Sequence, residues 1–218
     1  MLLDLIFPNR CLHCNQIISK EEAVCELCFS QIKFLHHEFT NENSFKNSCK
    51  LLFPVENAFA LMQFEENGLS RKIIHQLKYR SQEKMGKILA EWTLEKVAFH
   101  QESKPEVLVT VPLHPKKLKQ RGYNQLHLFA ETLSKTWDIP HHKNLLTRNS
   151  YQKAQATKDK SHRAETQYSF SLTEEITGKH ILLIDDVFTT GNTLSAIAWE
   201  ILKNPKNKIS VLVMALDV

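Results

Sequence analysis

Apolar positions along this chain follow two periods that change from segment to segment. Val55 to Phe64, VENAFALMQF, is strand-like, and Leu69, Ile73, Ile74 and Leu77 then fall on one face of a helix running from Leu69 to Tyr79. After a polar break, Met85, Leu89, Trp92 and Val97 repeat the helical pattern between Gln82 and Phe99. Val107 to Val111 is a β-branched run stopped by Pro112. A basic loop, HPKKLKQRGYNQ, leads from there into a helix through Leu126, Phe129, Ala130 and Leu133. Ile181 to Ile184 is the kind of short apolar run that a buried parallel strand carries. It ends in Asp185-Asp186, passes through a Thr/Gly turn and enters a helix from Leu194 to Leu202, after which Ile209 to Leu216 forms a last strand. Strands alternating with helices predict an α/β domain with a mostly parallel sheet and right-handed crossovers.

Two stretches keep neither period. Residues 37–50, HEFTNENSFKNSCK, read as part of a linker, and residues 138–168 are polar apart from Asn144 to Thr147. So long a stretch without a pattern is either a cover over a site or irregular surface. No internal repeat is visible.

Cysteine placement changes this picture. Four of the five cysteines stand in CLHC, residues 11–14, and CELC, residues 25–28, with ten residues between the pairs. Each CxxC turn brings two thiolates to one metal, so Cys11, Cys14, Cys25 and Cys28 supply all four ligands of a closed, tetrahedral, structural Zn2+. A single CxxC would leave redox chemistry open; two at this spacing do not favour it. Asn15 suits the left-handed geometry of the knuckle, His13 reads as surface, and Cys49 reads as incidental. The expected organisation is a four-cysteine finger over 1–36, a linker over 37–54 and an α/β domain over 55–218.

Thiolate ligands, apolar runs far shorter than a membrane span, and a first segment MLLDLIFPNR without a basic start place the chain in the cytoplasm with no membrane insertion. The net charge of +4 is mild. It permits contact with phosphates or nucleic acid without arguing for a dedicated DNA-binding protein.

The strongest chemical signal is ILLIDDVFTTGNTLSA, residues 181–196. A buried strand delivers Asp185 and Asp186 to the carboxyl edge of the sheet, where open α/β folds bind ligands. Thr189, Thr190, Gly191, Asn192 and Thr193 then lead into a helix. Glycine lets N–H groups converge, the hydroxyls add donors and the helix start adds its positive end, so the loop suits a phosphate. Two carboxylates beside a phosphate must face sugar hydroxyls or a metal-associated group, which implies a phosphorylated sugar. Other uses of an acidic pair lack their required context. There is no GxxxxGK[ST], no GxGxxG, and too little chain after Asp186 for a phosphoacceptor receiver domain.

IFPNRCLHCN with CELC, HQLKYR at 75–80, VPLHPKKLKQRGYNQ at 111–125 and ILLIDDVFTTGNT at 181–193 occur here in the order of the ComF (ComFC) family, associated with competence and DNA uptake, which the whole chain resembles. The last motif resembles the phosphoribosyl-pyrophosphate (PRPP) motif of type I phosphoribosyltransferases. The resemblance implies a Rossmann-like phosphoribosyltransferase core behind a small zinc-ribbon-like module. It also implies ribose hydroxyls on Asp185 and Asp186, and the 5′-phosphate on Thr189 to Thr193. Pyrophosphate would lie against the 111–114 turn (Pro112, Leu113, His114), with the signature Arg121 to Gln125 beside it. Of the family's pattern further on, Gln155 and Arg163 are kept, whereas Glu165 and Ser169 depart from it.

Lys116, Lys117, Lys119 and Arg121 suit a cationic rim for Mg2+-pyrophosphate as leaving group, or a solvated charge run. Lys78 is either site-facing or exposed. Transfer to a nitrogenous acceptor would depend on positioning and charge stabilisation, so no nucleophilic side chain is needed. Two functional classes follow: a PRPP-dependent phosphoribosyltransferase, or a module binding PRPP, a related nucleotide or single-stranded DNA. The resemblance implies as partner a helicase-like ATPase of DNA uptake.

Overall fold

The computed structural model describes residues 7–78, 84–148 and 170–217. Its elements in chain order are α1 (Glu26–Phe29), α2 (Ser44–Lys50), β1 (Ala58–Gln63), α3 (Leu69–Gln76), α4 (Lys84–Leu94), β2 (Val107–Thr110), α5 (Pro115–Arg121), α6 (Leu126–Trp137), β3 (Leu146–Arg148), β4 (Phe170–Leu172), β5 (His180–Phe188), α7 (Asn192–Ile201) and β6 (Lys208–Leu216). A parallel four-stranded sheet has the order β1-β6-β5-β2, and β3 and β4 form a separate antiparallel pair. Every residue of β6 after Lys208 is buried, as a strand covered on both faces requires. Helix α6 lies on β2 and β5 and packs against α4, where Gly86 permits the approach: a Cβ there would lie 3.2 Å from the backbone nitrogen of Phe129.

Both edges of the sheet are occupied, which keeps them from pairing with other chains. On the β1 side, Phe34 bridges Met62 in antiparallel sense, with Leu35 N–H donating to Leu61 O at 3.0 Å and Gln63 N–H to Lys33 O at 2.8 Å. On the β2 side, Leu108 bridges His141, and Leu108 N–H donates to Pro140 O at 2.9 Å.

The cysteine module is joined to the sheet by more than chain continuity. Phe29, Phe34 and Trp92 form a ring triad with centroids 5.2–5.7 Å apart, and Lys96 Nζ sits 4.5 Å above the Phe34 ring. Lys84 Nζ donates to Asn9 Oδ1 at 2.9 Å, and Lys72 Nζ lies 3.4 Å from His13 Nδ1, so the exposed His13 meets α3.

Three expectations are corrected. The stretch read as linker contains α2, with Asn43 as its cap accepting from Lys46 N–H at 2.8 Å. Phe45 and Cys49, four residues apart, share the buried face of this helix, so Cys49 is a core residue; burial pushes its thiol up to about 12. Three apolar residues in fourteen, Phe39, Phe45 and Cys49, were too few to show a period.

The basic loop is likewise partly helical. Pro115 starts α5 where a missing N–H costs nothing, and Gly122 ends it in the left-handed conformation at φ 81°. None of its residues is buried, so it carries no hydrophobic stripe to read. Finally, β5 does not stop at Ile184 but runs to Phe188, pairing Asp185 with Val213 and Val187 with Ala215. The acids interrupt the apolar run, not the hydrogen-bond ladder.

The stretch 138–168 is described only to Arg148, where Leu146 to Arg148 pair with Phe170 to Leu172. Gln155, Arg163, Glu165 and Ser169 lie outside the described residues, as do Tyr79 and Arg80.

Candidate active site

Strand β5 carries Asp185 and Asp186 on successive residues, so their side chains leave opposite faces of the strand. Asp186 N–H donates to Asp185 Oδ1 at 2.8 Å, and Val187 N–H donates to Asp186 Oδ1 at 2.8 Å. Enclosure by protein, followed by the neighbouring charge of Asp186, pushes the Asp185 carboxyl well above its ordinary range. Arg148, at the end of β3 and 5.6 Å over the Phe170 ring, pulls in the opposite direction.

Beyond β5, Thr189, Thr190 and Asn192 are exposed and Thr193 half-buried. Gly191 takes φ 74° as the residue preceding α7, and no side chain caps that helix. The first N–H groups of α7 therefore face outward beside three hydroxyls, which is the geometry of an anion site. Gly191 is buried beneath this loop. A Cβ there would meet the Leu52 side chain and come within 2.8 Å of the Phe188 ring, so the segment once read as linker forms the floor of the loop.

The adjacent strand brings the second half of the site. Val111 N–H donates to Ile184 O at 2.9 Å, so Pro112, Leu113 and His114 leave β2 directly beside Asp185; all three are half-buried. The turn after α5 is tied down by each of its side chains. Tyr123 Oη donates to Leu77 O at 2.8 Å, which sets Lys78, half-buried, next to this turn. Asn124 Nδ2 donates to Val111 O at 3.0 Å while its Oδ1 accepts from Leu126 N–H at 3.0 Å.

Gln125 Nε2 donates to Asp186 Oδ2 at 3.0 Å, and its Oε1 accepts from Arg121 at 2.6 Å. The structure thus brings the acid pair, the 112–114 turn, Arg121 and the 189–193 loop to one edge of the sheet. Lys116, Lys117 and Lys119 remain exposed on α5. Gln125 and Arg148 were not singled out as site residues from sequence. The sequence signal for Arg148 was a lone cation closing the apolar pair Leu145-Leu146; Gln125 had none beyond its place in the RGYNQ stretch.

A second constellation lies in the N-terminal module. The sulfurs of Cys11, Cys14, Cys25 and Cys28 all lie within 4.8 Å of one another, with Cys14 and Cys25 Sγ 3.6 Å apart. A tetrahedral Zn2+ with Zn–S near 2.3 Å has ligand edges of about 3.8 Å, so the four sulfurs fit it. Asn15 takes φ 63° at the first knuckle, as expected, and Cys11 Sγ accepts from His13 N–H at 3.5 Å. Burial pushes the Cys28 thiol up to about 12. At Cys11 burial acts the same way but is outweighed by N–H donors from Cys14, Cys25 and His13, leaving about 6. Four sulfurs this close repel one another as thiolates, so a cation among them is what would hold all four ionised.

Comparison with known proteins gives a family match in each part of the chain. Residues 2–40 match the double zinc ribbon domain and residues 127–215 the phosphoribosyl transferase domain. The first span contains four cysteines and so supplies one site. Competence protein F of Haemophilus influenzae is 28% identical over 207 residues, covering 88% of this chain and 90% of that protein. DNA utilization protein YhgH of Escherichia coli strain K12 is 28% identical over 147 residues (64% of this chain, 63% of the relative). Competence protein ComFC of Bacillus subtilis is 38% identical over 101 residues (46% and 40%), so the chain spans under two thirds of either of these last two. Among solved structures, hypoxanthine phosphoribosyl transferase of Trypanosoma cruzi is 16% identical with a TM-score of 0.32 over 66% of this chain and 64% of that one. The chain is thus similar to competence protein F, ComFC and YhgH, with a match to a zinc ribbon domain ahead of a match to a phosphoribosyl transferase domain.

Proposed function

We propose that this edge of the sheet binds PRPP and that the chain transfers phosphoribosyl to or from a nitrogenous acceptor. One observation carries the reading. An uncapped helix start, two carboxylates and the 112–114 turn converge from two adjacent strands at one sheet edge. The 5′-phosphate takes the N–H groups and hydroxyls of Thr189 to Thr193. Asp185 and Asp186 accept from the ribose hydroxyls. Pyrophosphate lies against Pro112, Leu113 and His114, with Lys78 and the α5 lysines Lys116, Lys117 and Lys119 at the rim.

In transfer, a nitrogen lone pair of the acceptor attacks C1 of the ribose as the C1–O bond breaks. The bonding electrons leave on pyrophosphate, and the acceptor's proton passes to solvent. The cations at the leaving-group side stabilise that developing charge. Mg2+ would enter with pyrophosphate and would supply charge neutralisation there. No residue of the chain is assigned to it. The expected biological setting is DNA uptake, since relatives carry competence and DNA utilization names. The partners then expected are single-stranded DNA and a helicase-like ATPase, and the place of action the cytoplasm. The proposed organisation remains a finger over 1–36 and a catalytic domain over 55–218, with 37–54 contributing the loop floor.

The test measures PRPP binding by calorimetry and pyrophosphate release across a panel of bases, with Asp185→Ala and Asp186→Ala alongside. Turnover lost in both variants supports the transferase. PRPP binding that depends on both acids, with no turnover on any base, replaces it with a non-catalytic PRPP-binding adaptor. Wild-type protein that binds no PRPP overturns both.

A further inference from the structure

Gln125 is buried, and each end of its amide has a charged partner. The assignment of its oxygen and nitrogen is forced. Turned over, the amide would set its oxygen against the Asp186 carboxylate and its NH2 against the Arg121 guanidinium. A buried amide left unpaired at either end would lose about tenfold or more in the equilibrium it supports. The local fold frees this side chain for the purpose. Gln125 occupies the capping position of α6 but makes no cap bond, because Asn124 caps Leu126 N–H instead. Gly122, at φ 81°, reverses the chain so that Arg121, the last residue of α5, returns over Gln125. Asp186 then has both oxygens engaged, Oδ1 by Val187 N–H and Oδ2 by Gln125. Asp185 Oδ1 accepts from Asp186 N–H.

We propose that Arg121 and Gln125 form a positioning relay that locks the Asp186 side chain, and that Arg121 serves the site through Gln125 rather than by holding pyrophosphate itself. The proposal rests on the PRPP reading for its role in binding, but the relay itself can be observed without PRPP. Asp186 is the anchored carboxylate of the pair, presenting its remaining lone pairs in one fixed direction to a sugar hydroxyl.

A double-mutant cycle on PRPP affinity separates the relay from direct contact. Arg121→Gln and Gln125→Leu are each expected to weaken PRPP about tenfold or more. The double variant should bind no more weakly than the worse single one, because both changes break one chain of bonds. Losses that multiply would show Arg121 touching the ligand independently and overturn the proposal. So would a folded Gln125→Leu that binds as wild type does.

If Gln125→Leu does not fold, Gln125→Glu keeps the shape. Its affinity should rise as the pH falls and the new carboxyl regains a proton to donate; a pH profile parallel to wild type overturns the relay. Wild-type protein without PRPP binding would refute the functional reading, not this one. In that case the side-chain amide resonance of Gln125 decides. Slow hydrogen exchange in wild type, lost in both Arg121→Gln and Asp186→Asn, supports the relay, and exchange unaffected by either change overturns it.

Discussion

Gly191→Ala tests how the phosphate loop is supported. The residue sits at φ 74°, where an L side chain costs about 1–2 kcal/mol. Its new Cβ would also come within 2.8 Å of two Phe188 ring carbons and closer still to a Leu52 methyl. Relieving such overpacking costs roughly 1–3 kcal/mol. Together these predict a loss of about 2–5 kcal/mol of unfolding free energy, readable from urea melts. The two contributions separate in a cycle with Leu52→Ala. Truncating Leu52 removes the worst contact but leaves the backbone cost and Phe188, so Gly191→Ala should cost about 1 kcal/mol less in that background. PRPP binding should fall in both backgrounds, since the strained loop no longer aims its N–H groups. Gly191→Ala as stable as wild type would refute the close packing of loop on floor, and so would an equal cost with and without Leu52.

Three further outcomes follow from the structure. Asp185 has a raised folded pKa against an ordinary value near 3.8, so its ionisation works against the fold; that penalty is absent at low pH and complete once the pH exceeds the folded value. Asp185→Asn should therefore melt higher than wild type at pH 8, with the gap closing on acidification; a gap independent of pH would remove the titration from the account. Trp92→Ala deletes one ring of the triad holding the cysteine module and, the ring being half-buried, should cost roughly 1–3 kcal/mol, with faster proteolysis between residues 30 and 43; an unchanged digestion pattern would show the module held by other contacts. Metal analysis should find one zinc per chain, lost in Cys11→Ser and Cys25→Ser, and a zinc that survives both changes would refute the ligand set.

The sequence by itself determined the parts whose physics is local. CLHC and CELC placed four sulfurs at one centre because a CxxC turn holds its two side chains together whatever surrounds it, and the sulfurs do converge. The apolar run Ile181 to Ile184 declared a buried parallel strand, because a strand covered on both faces carries that composition. The Thr/Gly turn before α7 was legible because a left-handed residue at a helix start calls for glycine.

What only the tertiary structure decided are pairings between distant residues. Helix α2 is held by Phe45 against Phe188 and by Asn43 Nδ2 on Ala58 O, contacts no window of fourteen residues contains. The extension of β5 through two aspartates depends on β6 supplying its ladder, since hydrogen bonds to a neighbouring strand outweigh the poor strand propensity of Asp. Gln125 meets Asp186 across 61 residues, and Leu52 meets Gly191 from a stretch that read as spacer. Chemistry that needs one residue's neighbours in sequence was readable in the chain; chemistry that needs two residues folded against each other was decided only when the sheet brought them together.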